Sequence, residues 1–202
     1  MSLVPPSAAA GARGRLAPIA RWLHAIGVSA NAATVTGFVL TVAGAALLAY
    51  GRPAPALLLL LIGTLGDTLD GQIALVAGGG TKLGAFLDST FDRLSDSALT
   101  GAAVVYGAYN NAPFLFWVGL IALISGSLVP YIRAKAESLG ISASVGLAPR
   151  EARLVLFVLG VAAWTVTTNS QLFAAALAVV AFLSTVTTLQ RIAHVASALR
   201  NT

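Results

Sequence analysis

Three stretches of this sequence carry no charged residue, and they limit the chain to a small set of folds. They cover residues 22–51, 97–132 and 154–190. A transmembrane helix needs about 20 predominantly apolar residues, so the first stretch suits one helix and the others suit pairs of helices joined by tight turns. Only 9% of the residues are charged, whereas a soluble domain carries about 25%. We therefore predict a polytopic membrane protein and exclude an ordinary soluble domain.

Polar turn segments and charged residues divide the chain into six predicted transmembrane helices. The turns lie at residues 110–113 and 168–170, within the two longer stretches. The predicted helices cover residues 32–50, residues 54–76, a third beginning near Leu83, a fourth at residues 114–138, a fifth beginning near Arg150 and a sixth ending near Arg191. The predicted fold class is therefore all-α.

A further helix is predicted before the first span, lying along the inner membrane interface. Leu16, Ile19 and Leu23 recur at helical spacing within residues 13–27, and arginines occupy other positions on the helical wheel. Such an amphipathic helix buries its apolar face among lipids and holds anionic headgroups with its basic side chains. Residues 1–12 are then an N-terminal tail, and residues 28–202 form the transmembrane domain.

The distribution of basic residues predicts the orientation. If both termini are cytoplasmic, eleven of the 12 Lys and Arg residues fall on the cytoplasmic side and only Arg52 falls outside. We expect a multi-pass protein of the plasma (inner) membrane, surrounded by lipid, with its active site on the cytoplasmic side. The net charge of +5 favours phosphate-bearing substrates and lipid headgroups over nucleic acid.

Five of the seven acidic residues are aspartates that lie inside the second and third predicted spans. They are Asp67, Asp70, Asp88, Asp92 and Asp96. Each unpaired aspartate near the bilayer centre costs about 2.5–3.5 kcal/mol, so the cluster needs compensation by cations or water.

The spacing of these aspartates predicts a metal site. Asp67 and Asp70 are three residues apart, and Asp88 and Asp92 are four apart, so each pair lies on one helix face. The glycines at residues 78–80 join the two helices in a hairpin, which lets the two faces meet. Four carboxylates suit hard cations such as Mg²⁺ or Mn²⁺, and two ions would clamp both sides of a phosphoryl displacement. Two other readings stay open: a divalent-cation or proton-coupled transporter, and a structural ion-pair network.

The acidic residues and their neighbours form a motif that resembles the signature of the CDP-alcohol phosphotransferases, integral membrane enzymes of phospholipid synthesis. The matching positions are Asp67, Asp70, Gly71, Ala74, Gly84, Asp88 and Asp92. The family usually has an arginine directly after the alanine, and this chain has Leu75. A catalytically silent homologue is therefore a further possibility.

This resemblance implies a reaction and a set of roles. The hydroxyl of an alcohol attacks the β-phosphorus of CDP-diacylglycerol and releases CMP. The resemblance also implies two Mg²⁺ or Mn²⁺ ions per active site, which neutralise the charge of the diphosphate. The implied metal ligands are Asp67, Asp70, Asp88 and Asp92, and Asp92 is also the implied general base. The implied CDP-lipid-binding residues are Asn31, Thr34, Asp67, Gly71, Ala74 and Gly84. The resemblance also implies a homodimer.

Basic residues at the cytoplasmic ends of the last three spans predict a site for the phosphate of a polar acceptor. They are Arg133, Lys135, Arg150, Arg153 and Arg191. Their sequence surroundings are similar to those of the actinobacterial phosphatidylinositol-phosphate synthases, which implies inositol 1-phosphate as the acceptor. Pro130 stands where those enzymes have a serine. Glycerol 3-phosphate, giving phosphatidylglycerol phosphate, is the alternative acceptor.

Overall fold

The chain folds into seven α-helices, with no strand among the residues that the structure describes. The computed structural model describes the backbone of residues 6–200 and the side chains of residues 16–200. The helices are α1 (Pro6–Ala25), α2 (Ala30–Ala49), α3 (Pro53–Val76), α4 (Lys82–Tyr109), α5 (Pro113–Ser138), α6 (Arg150–Thr167) and α7 (Ser170–Arg200). The all-α fold class is confirmed.

Four of these helices, α2, α3, α5 and α7, are long and apolar enough to cross a membrane. The helices α4 and α6 do not meet this criterion, because every 18-residue stretch of either helix carries at least three charged residues. These helices agree with the predicted membrane protein of several spans. The count of six spans stays a prediction. The helix α7 continues beyond Arg191 to Arg200.

The predicted turns are confirmed at both places, since α4 and α5 separate at residues 110–112 and α6 and α7 at residues 168–169. Asn111 and Thr168 have φ angles of 50° and 56°, which reverse the chain within a few residues. A helix also covers the region of the predicted amphipathic helix, but it begins at Pro6 rather than at residue 13, and its amphipathic character stays a prediction. It packs against α3, and its location at the membrane interface stays a prediction.

Glycines bring α2 and α3 unusually close together. A Cβ atom on Gly37 would lie 3.0 Å from the carbonyl oxygen of Gly63, and one on Gly63 would lie 2.7 Å from Oγ1 of Thr41. Only residues without a side chain permit this backbone contact. The close crossing places the last turns of α3, with their aspartates, directly beside the first turns of α2.

The apolar core occupies the half of the bundle away from the aspartates. Leu48, Leu60, Phe173 and Leu177 are fully buried there, and Trp164 stacks on Phe173 with ring centroids 5.8 Å apart. Large apolar side chains also cover the outer faces of the helices, as expected where a bundle meets lipid. The core leaves the other half of the bundle free for polar residues and cavities.

Candidate active site

Three of the predicted metal ligands come together where α3 and α4 meet. Asp67, Asp70 and Asp88 each offer a carboxylate oxygen, and these oxygens lie within 4.8 Å of one another. Asp70 is buried, with 8% of its surface exposed. Carboxylate oxygens contributed by two rigid helices suit a hard divalent cation, so the residues present fit Mg²⁺ or Mn²⁺.

The loop between α3 and α4 sets this geometry. Gly78 and Gly79 have φ angles of +95° and +124°, a region that side chains strongly disfavour. Thr81 then caps α4, because its hydroxyl accepts a hydrogen bond of 2.9 Å from the backbone N–H of Gly84. The reversal brings the acidic face of α4 against that of α3, as the spacing predicts.

The helix α2 contributes a direct contact to this cluster. Thr34 donates a hydrogen bond of 2.6 Å from Oγ1 to Oδ2 of Asp70, and both side chains are buried. Thr34 also lies 3.0 Å from the carbonyl oxygen of Ala30, one turn earlier. The N-cap of α2 is Ser29, which accepts from the N–H of Ala32. Thr34 is therefore part of the acidic site rather than a helix cap.

Asp92, the fourth predicted ligand, lies outside this group of three. Its Oδ1 atom is 2.8 Å from Nη1 of Arg150. The same guanidinium is 3.5 Å from Oδ2 of Asp67, and its Nε atom donates to Oδ1 of Asp96 at 3.3 Å. Sequence analysis grouped Arg150 with the acceptor-binding residues; in the structure its guanidinium contacts carboxylates, and a role in acceptor binding stays a prediction. No local sequence signal pairs residues this far apart.

A cavity of about 610 Å³ opens beside Asp70 and Asp88. Its lining includes five of the predicted CDP-lipid-binding residues, namely Asn31, Thr34, Gly71, Ala74 and Gly84. Asp67, the sixth, is not part of this lining. His24 and Lys82 also line the cavity, and sequence analysis missed both. For Lys82 a signal existed, since it lies two residues after the glycine turn that joins the two acidic helices.

A second cavity, of about 620 Å³, opens beside Asp92. Four of the five predicted acceptor residues line it: Arg133, Arg150, Arg153 and Arg191. Lys135 is exposed and does not line this cavity. Arg93 does line it, and sequence analysis missed this role although Arg93 directly follows Asp92.

The arginines of the second cavity differ in what they contact. Arg153 is buried and donates to Oγ of Ser184 at 3.3 Å. Arg191 donates to the carbonyl oxygens of Val129 and Val145, at 2.6 and 2.9 Å, and thereby joins α5, α7 and the loop before α6. Arg133 forms an exposed ion pair of 2.8 Å with Glu137. Arg153 and Arg191 contact no carboxylate within ion-pair distance among the described residues, and their role in binding an acceptor phosphate stays a prediction.

Comparison with known proteins identifies the family. A family model described as CDP-alcohol phosphatidyltransferase matches residues 27–194, which is most of the chain and includes the lining of both cavities except His24. The chain belongs to the CDP-alcohol phosphatidyltransferase family. Among curated relatives of this family, the phosphatidylinositol phosphate synthase of Mycobacterium marinum is 37% identical over 145 residues, which are 71% of this chain and 62% of that protein. The archaetidylinositol phosphate synthase of Aeropyrum pernix is 35% identical over 191 residues, 92% of this chain and 93% of that protein.

Solved structures of the family match the fold. Crystal structures of Mycobacterium tuberculosis phosphatidylinositol phosphate synthase match with 30% sequence identity. The complex with manganese and citrate has a TM-score of 0.82 and covers 89% of this chain and 88% of that one. The structure with CDP-DAG bound has a TM-score of 0.81 and covers 89% of this chain and 92% of that one.

Two departures from the family pattern can be placed in the structure. Leu75 is 68% exposed and lines neither cavity. Pro130 lies inside α5 and lines the second cavity. A proline offers no backbone N–H and no side-chain hydroxyl, so Pro130 contributes no hydrogen-bond donor to this cavity.

Proposed function

We propose that this protein is an integral membrane transferase of phospholipid biosynthesis. It transfers the phosphatidyl group of CDP-diacylglycerol to inositol 1-phosphate, and the products are phosphatidylinositol phosphate and CMP. The observation that carries this proposal is the pair of cavities on either side of one carboxylate cluster. The first cavity contains Asp70 and Asp88, and the second contains Asp92 with several arginines.

The first cavity is assigned to the CDP-lipid. Gly71 leaves open space in its wall, since a Cβ atom there would meet nothing within 4 Å. Asn31 lies across from Gly84, where a Cβ atom would come within 3.1 Å of its Oδ1 atom. Small residues on one wall and polar side chains on the other suit a nucleotide that approaches the backbone. The binding of CDP-DAG by the related Mycobacterium tuberculosis enzyme supports this assignment.

The acidic cluster is assigned to divalent cations. Asp67, Asp70 and Asp88 would hold Mg²⁺ or Mn²⁺, with Asp92 available to complete a site for two ions. Manganese is present in the crystal structure of the related Mycobacterium tuberculosis enzyme, which supports the choice of metal. When bound, such ions neutralise charge on the diphosphate and stabilise the departing phosphate.

The chain's own residues then orient the acceptor and take its proton. Arg133, Arg153 and Arg191 bind the acceptor phosphate, because guanidinium groups match phosphate geometry with paired N–H donors. Asp92, in the same cavity, accepts the proton of the attacking hydroxyl. A bond forms between the hydroxyl oxygen and the β-phosphorus, and the bond from that phosphorus to the oxygen of CMP breaks.

The names of the relatives support inositol 1-phosphate as the acceptor. The curated relatives are named phosphatidylinositol phosphate synthases or archaetidylinositol phosphate synthases. Their names differ in the lipid and share the inositol phosphate. The doubly charged phosphate also suits a cavity whose buried Arg153 has no carboxylate partner within ion-pair distance in residues 16–200.

The membrane arrangement follows from the same assignments. We infer six spans, α2 to α7, in which the charged ends of α4 and α6 lie at the cytoplasmic face of the plasma membrane. There they line the two cavities, so lipid need not solvate their charges. Both termini are cytoplasmic, α1 lies along the inner interface, and the protein works as a homodimer.

The test is an acceptor panel with purified protein and labelled CDP-diacylglycerol, with and without Mg²⁺ or Mn²⁺. We expect metal-dependent CMP release with inositol 1-phosphate and little with glycerol 3-phosphate or serine. Turnover with glycerol 3-phosphate and none with inositol 1-phosphate would show that glycerol 3-phosphate is the acceptor. Metal flux into liposomes without any CMP release would show that the protein is a transporter and not a transferase.

A further inference from the structure

The segment between α5 and α6 forms part of the second cavity. Residues 141–149 adopt neither helix nor strand, and this segment is called the acceptor wall below. Its members that line the cavity are Ser144, Val145, Gly146, Ala148 and Pro149. The helix α6 begins directly after the wall and brings Arg150 and Arg153 into the same cavity. The position of the wall therefore sets the shape of the cavity on this side.

An irregular segment needs partners for its backbone groups, and α7 supplies two of them. Nε of Arg191 donates to the carbonyl oxygen of Val145 at 2.9 Å. Nε2 of His194 lies 3.0 Å from the carbonyl oxygen of Ser142. A carbonyl oxygen only accepts, so this ring nitrogen donates the hydrogen bond. Both the two donors and the two acceptors are three residues apart, in opposite order, so the wall runs antiparallel alongside one face of α7.

Close packing holds the wall against the same face of α7. Gly146 has a φ angle of +143°, and a Cβ atom there would lie 2.5 Å from Cγ2 of Thr187, one turn before Arg191. Ala143 lies between the two bonded carbonyl groups in the sequence, and none of its surface is exposed. Ala148 is also buried. The wall is therefore docked on α7 by packing as well as by hydrogen bonds.

The two donors on α7 differ in their relation to the cavity. Arg191 lines the cavity and also donates to Val129 of α5. A guanidinium has five N–H donors, more than these two carbonyl groups use, so Arg191 can hold the wall and a phosphate together. His194 is exposed and does not line the cavity. Its hydrogen bond to the wall is therefore its route to the acceptor.

We propose that His194 is a positioning residue for the acceptor: it holds the acceptor wall against α7 and acts on the acceptor only through that wall. This inference rests on the proposed function of the second cavity. None of residues 141–149 lines the first cavity, so the effect of His194 is confined to one of the two substrates. Polar residues of α7 thereby contribute to the acceptor site in two ways, Arg191 directly and His194 through the wall.

Steady-state kinetics of His194→Ala and His194→Gln test the proposal. Alanine removes the donor, whereas the glutamine amide keeps one. A hydrogen bond of this kind shifts an equilibrium by about two- to tenfold. His194→Ala should raise the acceptor KM by about that factor and leave the KM for CDP-diacylglycerol unchanged, and His194→Gln should restore the acceptor KM. A lower kcat with both KM values unchanged in His194→Ala would indicate only a loss of folded protein and would reject the positioning role.

Ser197→Ala is the matched control on α7. Ser197 is exposed, lies three residues beyond His194 and lines neither cavity. Both KM values should stay unchanged in this variant. An acceptor KM raised as much as in His194→Ala would show a general effect of changes near the end of α7 and would contradict the proposal.

Thiol labelling follows the wall itself, without substrate or turnover. The chain contains no cysteine, so Ala143→Cys introduces a single thiol at a buried position. A thiol reagent reaches this position when the wall leaves α7, and adding His194→Ala should raise the labelling rate about two- to tenfold. Ser144→Cys is exposed and should be labelled equally fast with and without His194→Ala. Equal rates for Ala143→Cys in both backgrounds would show that His194 does not hold the wall.

Limited proteolysis gives the same comparison in chains without an added cysteine. Leu147 is exposed on the wall and offers a cleavage site for chymotrypsin. Cleavage there should be faster in His194→Ala than in the parent protein and should return to the parent rate in His194→Gln. A rate that does not change in His194→Ala would count against the proposal.

Failure of the proposed function would look different. If the parent protein releases no CMP with any acceptor, the transferase assignment fails, and the labelling rates still test the contact between His194 and the wall. Faster labelling of Ala143→Cys with an unchanged acceptor KM in His194→Ala would instead leave the transferase assignment intact. It would show that the wall does not shape the acceptor site, and the positioning role would be refuted.

Discussion

The hydroxyl of Thr34 donates a hydrogen bond of 2.6 Å to the Asp70 carboxylate across the interface between α2 and α3. Both side chains are buried, and this bond holds the carboxylate that Asp70 contributes to the acidic cluster. Groups that support metal ligands in this way contribute substantially to metal affinity. The helix α2, which carries no acidic residue, thus contributes to the proposed metal site.

Replacing Thr34 by valine should weaken metal binding. Valine has nearly the same shape but cannot donate, so the Asp70 carboxylate would lose the hydrogen bond from the Thr34 hydroxyl and be held less firmly. We expect Mn²⁺ affinity to fall by about 10- to 100-fold, the usual effect of such a supporting contact. Thr34→Ser keeps the hydroxyl and is the control. Equal affinities in the valine and serine variants, measured by Mn²⁺ titration, would show that the bond does not orient Asp70.

Asp67→Asn and Asp88→Asn should each abolish metal-dependent CMP release while the fold persists. Each change removes a charged oxygen ligand from the group of three. Asp96→Asn is the matched control, because Asp96 contacts Arg150 and is not part of that group, so its metal binding should persist. Thermal unfolding and CMP release are measured for all three variants. Retained turnover in either the Asp67 or the Asp88 variant would contradict the metal site.

Arg153→Ala and Arg191→Ala should raise the KM for the acceptor much more than the KM for CDP-diacylglycerol. The side chains line the second cavity and not the first, so their loss removes binding energy from only one substrate. Steady-state kinetics with each substrate varied in turn will measure both constants. Equal increases in the two constants would mean that these arginines only anchor the protein at lipid headgroups.

Gly71→Ala should impair CDP-lipid binding without harming the fold. A Cβ atom at Gly71 meets nothing within 4 Å, but it would protrude into the first cavity. In a helix, replacing glycine by alanine adds about 0.5–1 kcal/mol of stability. We expect a higher melting temperature together with a higher KM for CDP-diacylglycerol. Gly101→Ala is the control, because Gly101 also has open space and lines neither cavity; an increase in KM there as well would point to a general effect.

The proposed orientation can be mapped directly because the chain contains no cysteine. Asn110 and Ser138 are exposed and lie near opposite ends of α5. In right-side-out vesicles, an impermeant thiol reagent should label Asn110→Cys and not Ser138→Cys. Inverted vesicles should give the reverse result. Labelling of Ser138→Cys in right-side-out vesicles would contradict the proposed orientation, because it would place the acidic cluster on the outer side of the membrane.

Much of the site was predictable because helical periodicity relates residues on the same helix. The spacing of Asp67 and Asp70, and of Asp88 and Asp92, predicted two acidic faces, and the glycine hairpin predicted that they meet. The structure confirms the meeting of Asp67, Asp70 and Asp88. Periodicity within α4 also predicted that Asp92 would join them. Periodicity could not predict the ion pair between Asp92 and Arg150, because Arg150 begins a helix far along the chain.

The sequence by itself determined the helices, their turns and the faces on which the aspartates lie, since these depend on local spacing, charge and turn residues. Only the tertiary structure decided which face meets which partner. The rotation of one helix against another depends on contacts between distant residues, such as Gly37 against Gly63. That packing brings Thr34 to Asp70, Arg150 to Asp92, and Arg153 to Ser184.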